Sequence, residues 1–175
     1  KHAEACLAPP LHAGVALGTL YRRFSSKEDL LVAALELECA ELERRYLQKP
    51  PRGEDEIDRV TSFFGLATKG LLRRPNLARA LVKAATSGEL GLGQKVASFH
   101  ERMERMIVVA LRGPAARGES AVTATGRESR LADTLEMIWF ALLVGWSSGL
   151  HGPATVIEKM RSSAELVLRG SRDIE

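Results

Sequence analysis

Residues 14–35, GVALGTLYRRFSSKEDLLVAAL, constrain this chain more than any other stretch. Leu17, Leu20, Tyr21 and Phe24 recur at i, i+3, i+4 and i+7, which predicts a two-turn helix with one apolar face. The opposite face carries Gly18, Thr19, Arg22 and Arg23, all small or basic. A glycine inside a helix costs about 1 kcal/mol relative to alanine, so Gly18 makes sense where something must approach the backbone closely. A DNA phosphate or base edge is such a thing. Thr19 suits a thymine methyl or a phosphate, Arg22 and Arg23 suit guanine edges or phosphates, and the Tyr21 hydroxyl suits a phosphate. Ser25 and Ser26 then offer N-caps, with Glu28 and Asp29 at capping-box spacing, so a new helix starts near Lys27. Its free amides, together with Lys27, form a second grip for a phosphate. The competing reading of these residues is an ordinary helical hairpin with a solvated basic face.

Ala13, Gly14, Val15, Gly18, Thr19, Leu20, Tyr21, Phe24, Ser26, Lys27 and Leu30 together resemble the end of the helix-turn-helix in the TetR family of bacterial repressors. The family pattern is roughly A-G-V-S-x-G-T-L-Y-x-x-F-x-S-K-x-x-L. One position departs from it: Ala16 stands where the family has the serine that caps the recognition helix and touches a phosphate. Losing such a cap costs about 1 kcal/mol and weakens the anchoring there. The resemblance implies an all-α protein in two parts. Residues 1–47 would be the helix-turn-helix DNA-binding domain with its connector helix, and residues 48–175 a helical domain for effector binding and dimerisation. Carried over residue by residue, it implies DNA contacts from Leu17, Gly18, Thr19, Tyr21, Arg22, Arg23 and Lys27. The family also has a long first helix and a bracing second one. Pro9 and Pro10 interrupt residues 1–13, where no long helix is legible, so the DNA-binding domain reads as incomplete at its amino terminus.

A chain of 175 residues with 45% apolar and 27% charged residues is long and apolar enough to bury a good-sized core. Its formal charge of +3 permits nucleic-acid binding without demonstrating it. Cys6 and Cys39 have no metal-ligand spacing, which favours a reduced, cytoplasmic setting. The longest strongly apolar run, residues 137–146, is too short to cross a bilayer, and a soluble chain without a membrane partner is expected.

Apolar residues at helical spacing continue from Lys27 to about Leu47, interleaved with glutamates, as a long amphipathic connector. QKPPRGE, residues 48–54, breaks it. Helices follow over 55–73, with the pair Phe63 and Phe64 at its centre, over 76–85 behind Pro75, and over 94–111, with Phe99, Met103, Met106 and Ile107 on one stripe. His100 with Glu101 and Glu104 lacks the second histidine of a zincin helix and reads as a solvated face, so no metal and no cofactor are expected. The GELGLG run at 88–93 follows no strand and is no nucleotide loop.

Residues 127–149 form the most apolar helix, and its run MIWFALLVGW is apolar all round, which calls for cover on both faces. A last amphipathic helix, residues 154–168, follows Pro153. Two closing helices of this kind resemble the pair that forms the four-helix dimer interface of the TetR family. That implies an interface of Leu135, Trp139, Leu142, Leu143, Trp146, Ile157, Met160 and Ala164. A homodimer also suits recognition helices that must reach successive major grooves about 34–36 Å apart.

The function implied is a ligand-responsive transcriptional repressor that binds operator double-stranded DNA as a homodimer and is released by a small effector. Phe63, Phe64, Phe99, Met103, Met106, Ile107, Trp139 and Trp146 are the apolar candidates for the effector site, favouring a hydrophobic molecule such as a fatty acyl or steroid-like compound or its thioester. The GVALGTLYRRF stretch and the closing helices are similar to the sterol-catabolism repressors within the family. The alternative from another class is an effector-binding, dimerising helical protein that does not bind DNA because its first helices are missing. An enzyme is not expected: four scattered histidines and no nucleophile–base signature leave no catalytic residue to assign.

Overall fold

The computed structural model of the chain describes residues 22–49, 53–86, 93–113 and 123–172. Among the described residues every regular element is a helix. Six long ones are labelled here α1 (Lys27–Gln48), α2 (Glu56–Leu72), α3 (Pro75–Ala85), α4 (Gly93–Arg112), α5 (Gly126–Ser147) and α6 (Pro153–Gly170). Each lies within two residues of the span its periodicity and punctuation predict.

Local chemistry sets most of the starts. Ser26 is extended, and its hydroxyl accepts the Asp29 N–H at 2.9 Å to cap α1. The Asp29 carboxylate reaches back to the N–H and hydroxyl of Ser25 at 2.9 and 3.0 Å. Asp55 caps α2 through the Asp58 N–H at 2.8 Å. Thr125 and Glu128 close both halves of a capping box ahead of α5, at 3.2 and 2.8 Å. Pro75 and Pro153 occupy the first turns of α3 and α6, where a missing N–H costs nothing.

The helices pack as a bundle around α5, which contacts α6, α4 and α3; α2 lies against α6 and α4, and α1 runs along α4 and α3. The core centres on Phe63, Phe64, Met103, Met106, Ile107 and Leu135, all fully buried. Four rings form a continuous path through it, Tyr46 to Phe63 at 5.2 Å, Phe63 to Phe64 at 5.1 Å and Phe64 to Trp139 at 5.8 Å, edge-on or tilted as aromatic quadrupoles favour. Trp139 donates its indole N–H to the Thr68 hydroxyl at 2.9 Å, which explains how a threonine is fully buried in an apolar core.

The connector helix is part of this core. Cys39 and Tyr46 of α1 belong to the main apolar cluster, while Val32 nearer its start packs with Ala84 in a second, smaller one. Glu43 of α1 accepts from both Arg102 and Arg105 of α4, so the carboxyl-terminal half of the connector is held by charge as well as by burial. Arg59 of α2 donates to the carbonyls of Ala110 and Leu111, at 2.8 and 2.7 Å, and satisfies two of the orphan acceptors at the end of α4.

Candidate nucleic-acid interface and effector cavity

Of the seven residues expected to meet DNA, Leu17, Gly18, Thr19 and Tyr21 lie outside the described residues. Arg22 and Arg23 are helical and exposed. The chain turns at Phe24, which is half-buried, and Ser25, and α1 begins with exposed Lys27. The cap that Ser26 supplies leaves the remaining first-turn amides of α1 beside Lys27, the arrangement that suits a phosphate. Three cations thus flank one turn at the exposed end of α1.

The same helix, from Val32 to Arg45, borders a cavity of about 420 Å³, within the range of small-molecule sites. All of α1 to α5 contribute to its wall. From α1 come Val32, Leu35, Cys39 and Leu42; from α2 and α3, Leu71, Leu77 and Leu81; from α4 and α5, Phe99, His100, Met103, Trp139, Phe140 and Leu143. The expected effector residues divide. Phe99, Met103 and Trp139 line the space, whereas Phe63, Phe64, Met106 and Ile107 are filled core with at most 1% of their surface exposed and do not line it. The α1 side chains were missed because their spacing reads equally well as a lever, although Leu35, Cys39 and Leu42 stand at helical intervals.

Four of the charges around the cavity, Arg45, Glu41, Arg74 and Glu38, are paired, and Glu36 and Arg73 also line it. Arg45 meets Glu41 at 2.5 Å and Arg74 meets Glu38 at 2.7 Å. Glu41, held by Arg44 and Arg45, has its carboxyl lowered to about 2. Burial pushes the Cys39 thiol up to about 12, so it stays protonated and behaves as a small apolar group rather than a reactive one. The polar feature of the opposite wall is His100, whose Nδ1 lies 2.8 Å from Oε1 of the buried Glu136. Burial raises the Glu136 carboxyl to about 7 against the opposing pull of His100, with Asp133 and Glu104 adding to the rise. His100 is therefore not a merely solvated side chain, as its helix pattern suggested. A signal for the buried carboxyl, though not for its partner, was available in sequence: Glu136 shares the face of Ala132, Trp139 and Leu143 on the most apolar helix.

Six of the eight residues expected at a dimer interface are turned into the subunit. Leu135, Trp139, Leu143, Trp146, Met160 and Ala164 are buried within the subunit itself, and Leu142 and Ile157 are half-buried. Trp146 is covered by the Arg79 guanidinium, 4.8 Å from its ring centroid. A side chain with no exposed surface has none to give a partner. The apolar residues that α5 and α6 do present outward are Met137, Ala141 and Leu166, with Leu150 exposed in the turn between them.

The family described as bacterial regulatory proteins, tetR family, matches residues 11–34, which runs through the basic turn and into the first two turns of α1. The chain is 29% identical over 161 residues to the HTH-type transcriptional repressor KstR of Rhodococcus jostii (strain RHA1), covering 91% of this chain and 71% of that protein. Residues 11–34 thus carry the signature of the TetR family. A KstR repressor of Mycobacterium tuberculosis is 27% identical, over 92% of this chain and 69% of its own length. In three dimensions the chain resembles the crystal structure of a TetR transcriptional regulator from Rhodococcus sp. RHA1, with a TM-score of 0.72, 23% identity, and coverage of 89% of this chain and 79% of that one. The fold of a TetR regulator thus extends over nearly all of the chain, while the family's signature is confined to the segment that carries the exposed cations.

Proposed function

We propose that this TetR-family protein is a transcriptional repressor that binds operator DNA as a homodimer and leaves it when an apolar molecule occupies the α1–α5 cavity. The observation that carries the reading is the double role of α1. It begins at the basic turn inside the family signature, and between about one and four turns later its Val32, Leu35, Cys39 and Leu42 form one wall of the cavity. A molecule in the cavity that binds one position of α1 better than another shifts the population of that position, and with it the placement of Arg22, Arg23 and Lys27. Moving occupancy from almost fully bound to almost fully free takes about 5.5 kcal/mol of differential affinity. The curated relatives are repressors by description, which favours this reading over a helical effector-binding protein that leaves DNA alone.

In this proposal Leu17, Gly18, Thr19, Tyr21, Arg22 and Arg23 enter the major groove and Lys27 holds a phosphate. Residues 1–47 act as the DNA-binding unit with its connector, and 48–175 as the effector-binding and dimerising unit. The dimer contact lies on the outward face of α5 and α6, through Met137, Ala141 and Leu166, instead of on the side chains buried in the subunit. The protein works in the cytoplasm, and neither a catalytic residue, a metal nor a cofactor enters the reading. A gel shift with DNA from the region flanking the protein's own gene tests it. Sequence-preferring binding that weakens steeply with salt is the expected result. Equal, salt-insensitive retention of every DNA, or none at all by a folded dimer, overturns it.

A further inference from the structure

We propose that the His100–Glu136 pair is the polar anchor of the cavity and selects an occupant that is apolar, uncharged and bears a hydroxyl group. This deepens the effector reading above and rests on it. The Glu136 side chain is 6% exposed and lies behind the His100 ring, whose side chain is 58% exposed and lines the cavity. Nδ1 is committed to Glu136 at 2.8 Å, and among the described residues Nε2 has no hydrogen-bond partner. Phe99, Met103 and Trp139 are the apolar liners of the same wall. A ring so placed offers one polar atom to a molecule that is otherwise surrounded by hydrocarbon.

The chemistry of that atom follows from its partner. With Glu136 ionised and His100 neutral, Nδ1–H donates to the carboxylate and Nε2 accepts. With the proton on Glu136, or with a charged imidazolium, Nε2–H donates. A hydroxyl donates and accepts, and so satisfies every protonation state of the pair; an ether or ketone satisfies only the latter. A carboxylate cannot donate, and it would enter a region that Glu136, Asp133 and Glu104 already make acidic. An ammonium beside His100 would lose its hydration to a wall of leucine, phenylalanine and methionine, while at the other side Arg45 and Arg74 engage Glu41 and Glu38, and Glu36 and Arg73 add one charge of each sign to the lining.

Four probes on one chain test this: 1-dodecanol, its methyl ether, dodecanoate and dodecylamine, titrated against the Trp146→Phe variant of the full chain, so that the fluorescence read is that of Trp139 in the cavity wall. At pH 8.5, where Glu136 is ionised and Nε2 accepts, the alcohol is expected to bind about tenfold more tightly than the ether and than either ion. His100→Ala, at an exposed position that leaves the core intact, should bring the alcohol to the affinity of the ether while the ether is unchanged. His100→Gln, which can also donate and accept, should restore part of the preference. Equal binding of alcohol and ether, a preference that survives His100→Ala, or tightest binding by an ion overturns the anchor. Failure of all four to change the fluorescence overturns both the anchor and the effector reading. Selective alcohol binding that leaves a protein–operator gel shift unchanged supports the anchor and overturns only the regulatory reading.

Discussion

Glu136 makes the stability of this protein depend on pH in a way that a single substitution isolates. Its carboxyl stands at about 7 in the fold against 4.5 in an exposed chain, mainly because burial disfavours the charge. Between those values the folded protein holds a proton that the unfolded chain has released. Stability from this group is therefore fully present below about pH 4.5 and is lost as the pH rises through about 7. At roughly 1.4 kcal/mol per pH unit, the loss amounts to about 3 kcal/mol. The groups facing Glu136 are His100 and Glu104 on α4, Asp133 on its own helix and Cys39 on α1; among them His100 opposes the rise. Glu136→Gln keeps the shape and a hydrogen bond to Nδ1 and removes the titration. Urea unfolding of both proteins at pH 5 and pH 8 is the assay, and the difference between them cancels the titrating groups that do not sense Glu136. The variant should gain about 3 kcal/mol on the wild type in moving from pH 5 to pH 8, with His100→Ala steepening the wild-type dependence. A difference that is constant with pH, or that grows in the other direction, would refute the assignment of a buried, reluctantly ionised carboxyl.

Three further outcomes follow from the same structure. Lys27→Ala should weaken binding to all DNA sequences and lower the salt dependence by about one ion, whereas Arg22→Ala should also relax sequence preference; competition gel shifts separate the two, and identical behaviour would contradict the division of roles. Met137→Glu combined with Leu166→Glu should give folded monomers by sedimentation, because two charges would enter the apolar contact, and an unchanged dimer would move the interface elsewhere. Arg59→Met removes the two donors from the end of α4 and should cost about 2 kcal/mol in urea unfolding; a loss below about 0.5 kcal/mol would mean that water replaces the guanidinium without penalty.

Much of the fold was legible because its signals are local. Three- and four-residue apolar spacing marked all six described helices. Their starts follow from residues within a turn of each other: Ser26 with Asp29, Thr125 with Glu128, and the prolines at 75 and 153. The basic turn from Arg22 to Lys27 was readable in the same way, since small and charged residues opposite an apolar stripe need no distant partner to be recognised. What a helix face meets is another matter. The run around Trp139 and Trp146 called for cover, yet only the packed bundle assigns that cover to Thr68, Phe64 and Arg79 of the same chain instead of a second copy.

The amino-acid order by itself determined the helices, their caps, the exposed cations and, in residues 11–34, the resemblance to the TetR family. Tertiary structure alone decided that the connector helix is also a cavity wall, that Leu135, Trp139, Leu143 and Trp146 are buried within the subunit, and that His100 on α4 and Glu136 on α5 form one unit. The reason is range: helix propensity and capping act within a few residues, whereas burial depends on which surfaces meet across the bundle. His100 and Glu136 are 36 positions apart, and nothing in the periodicity of either helix states that they face one another.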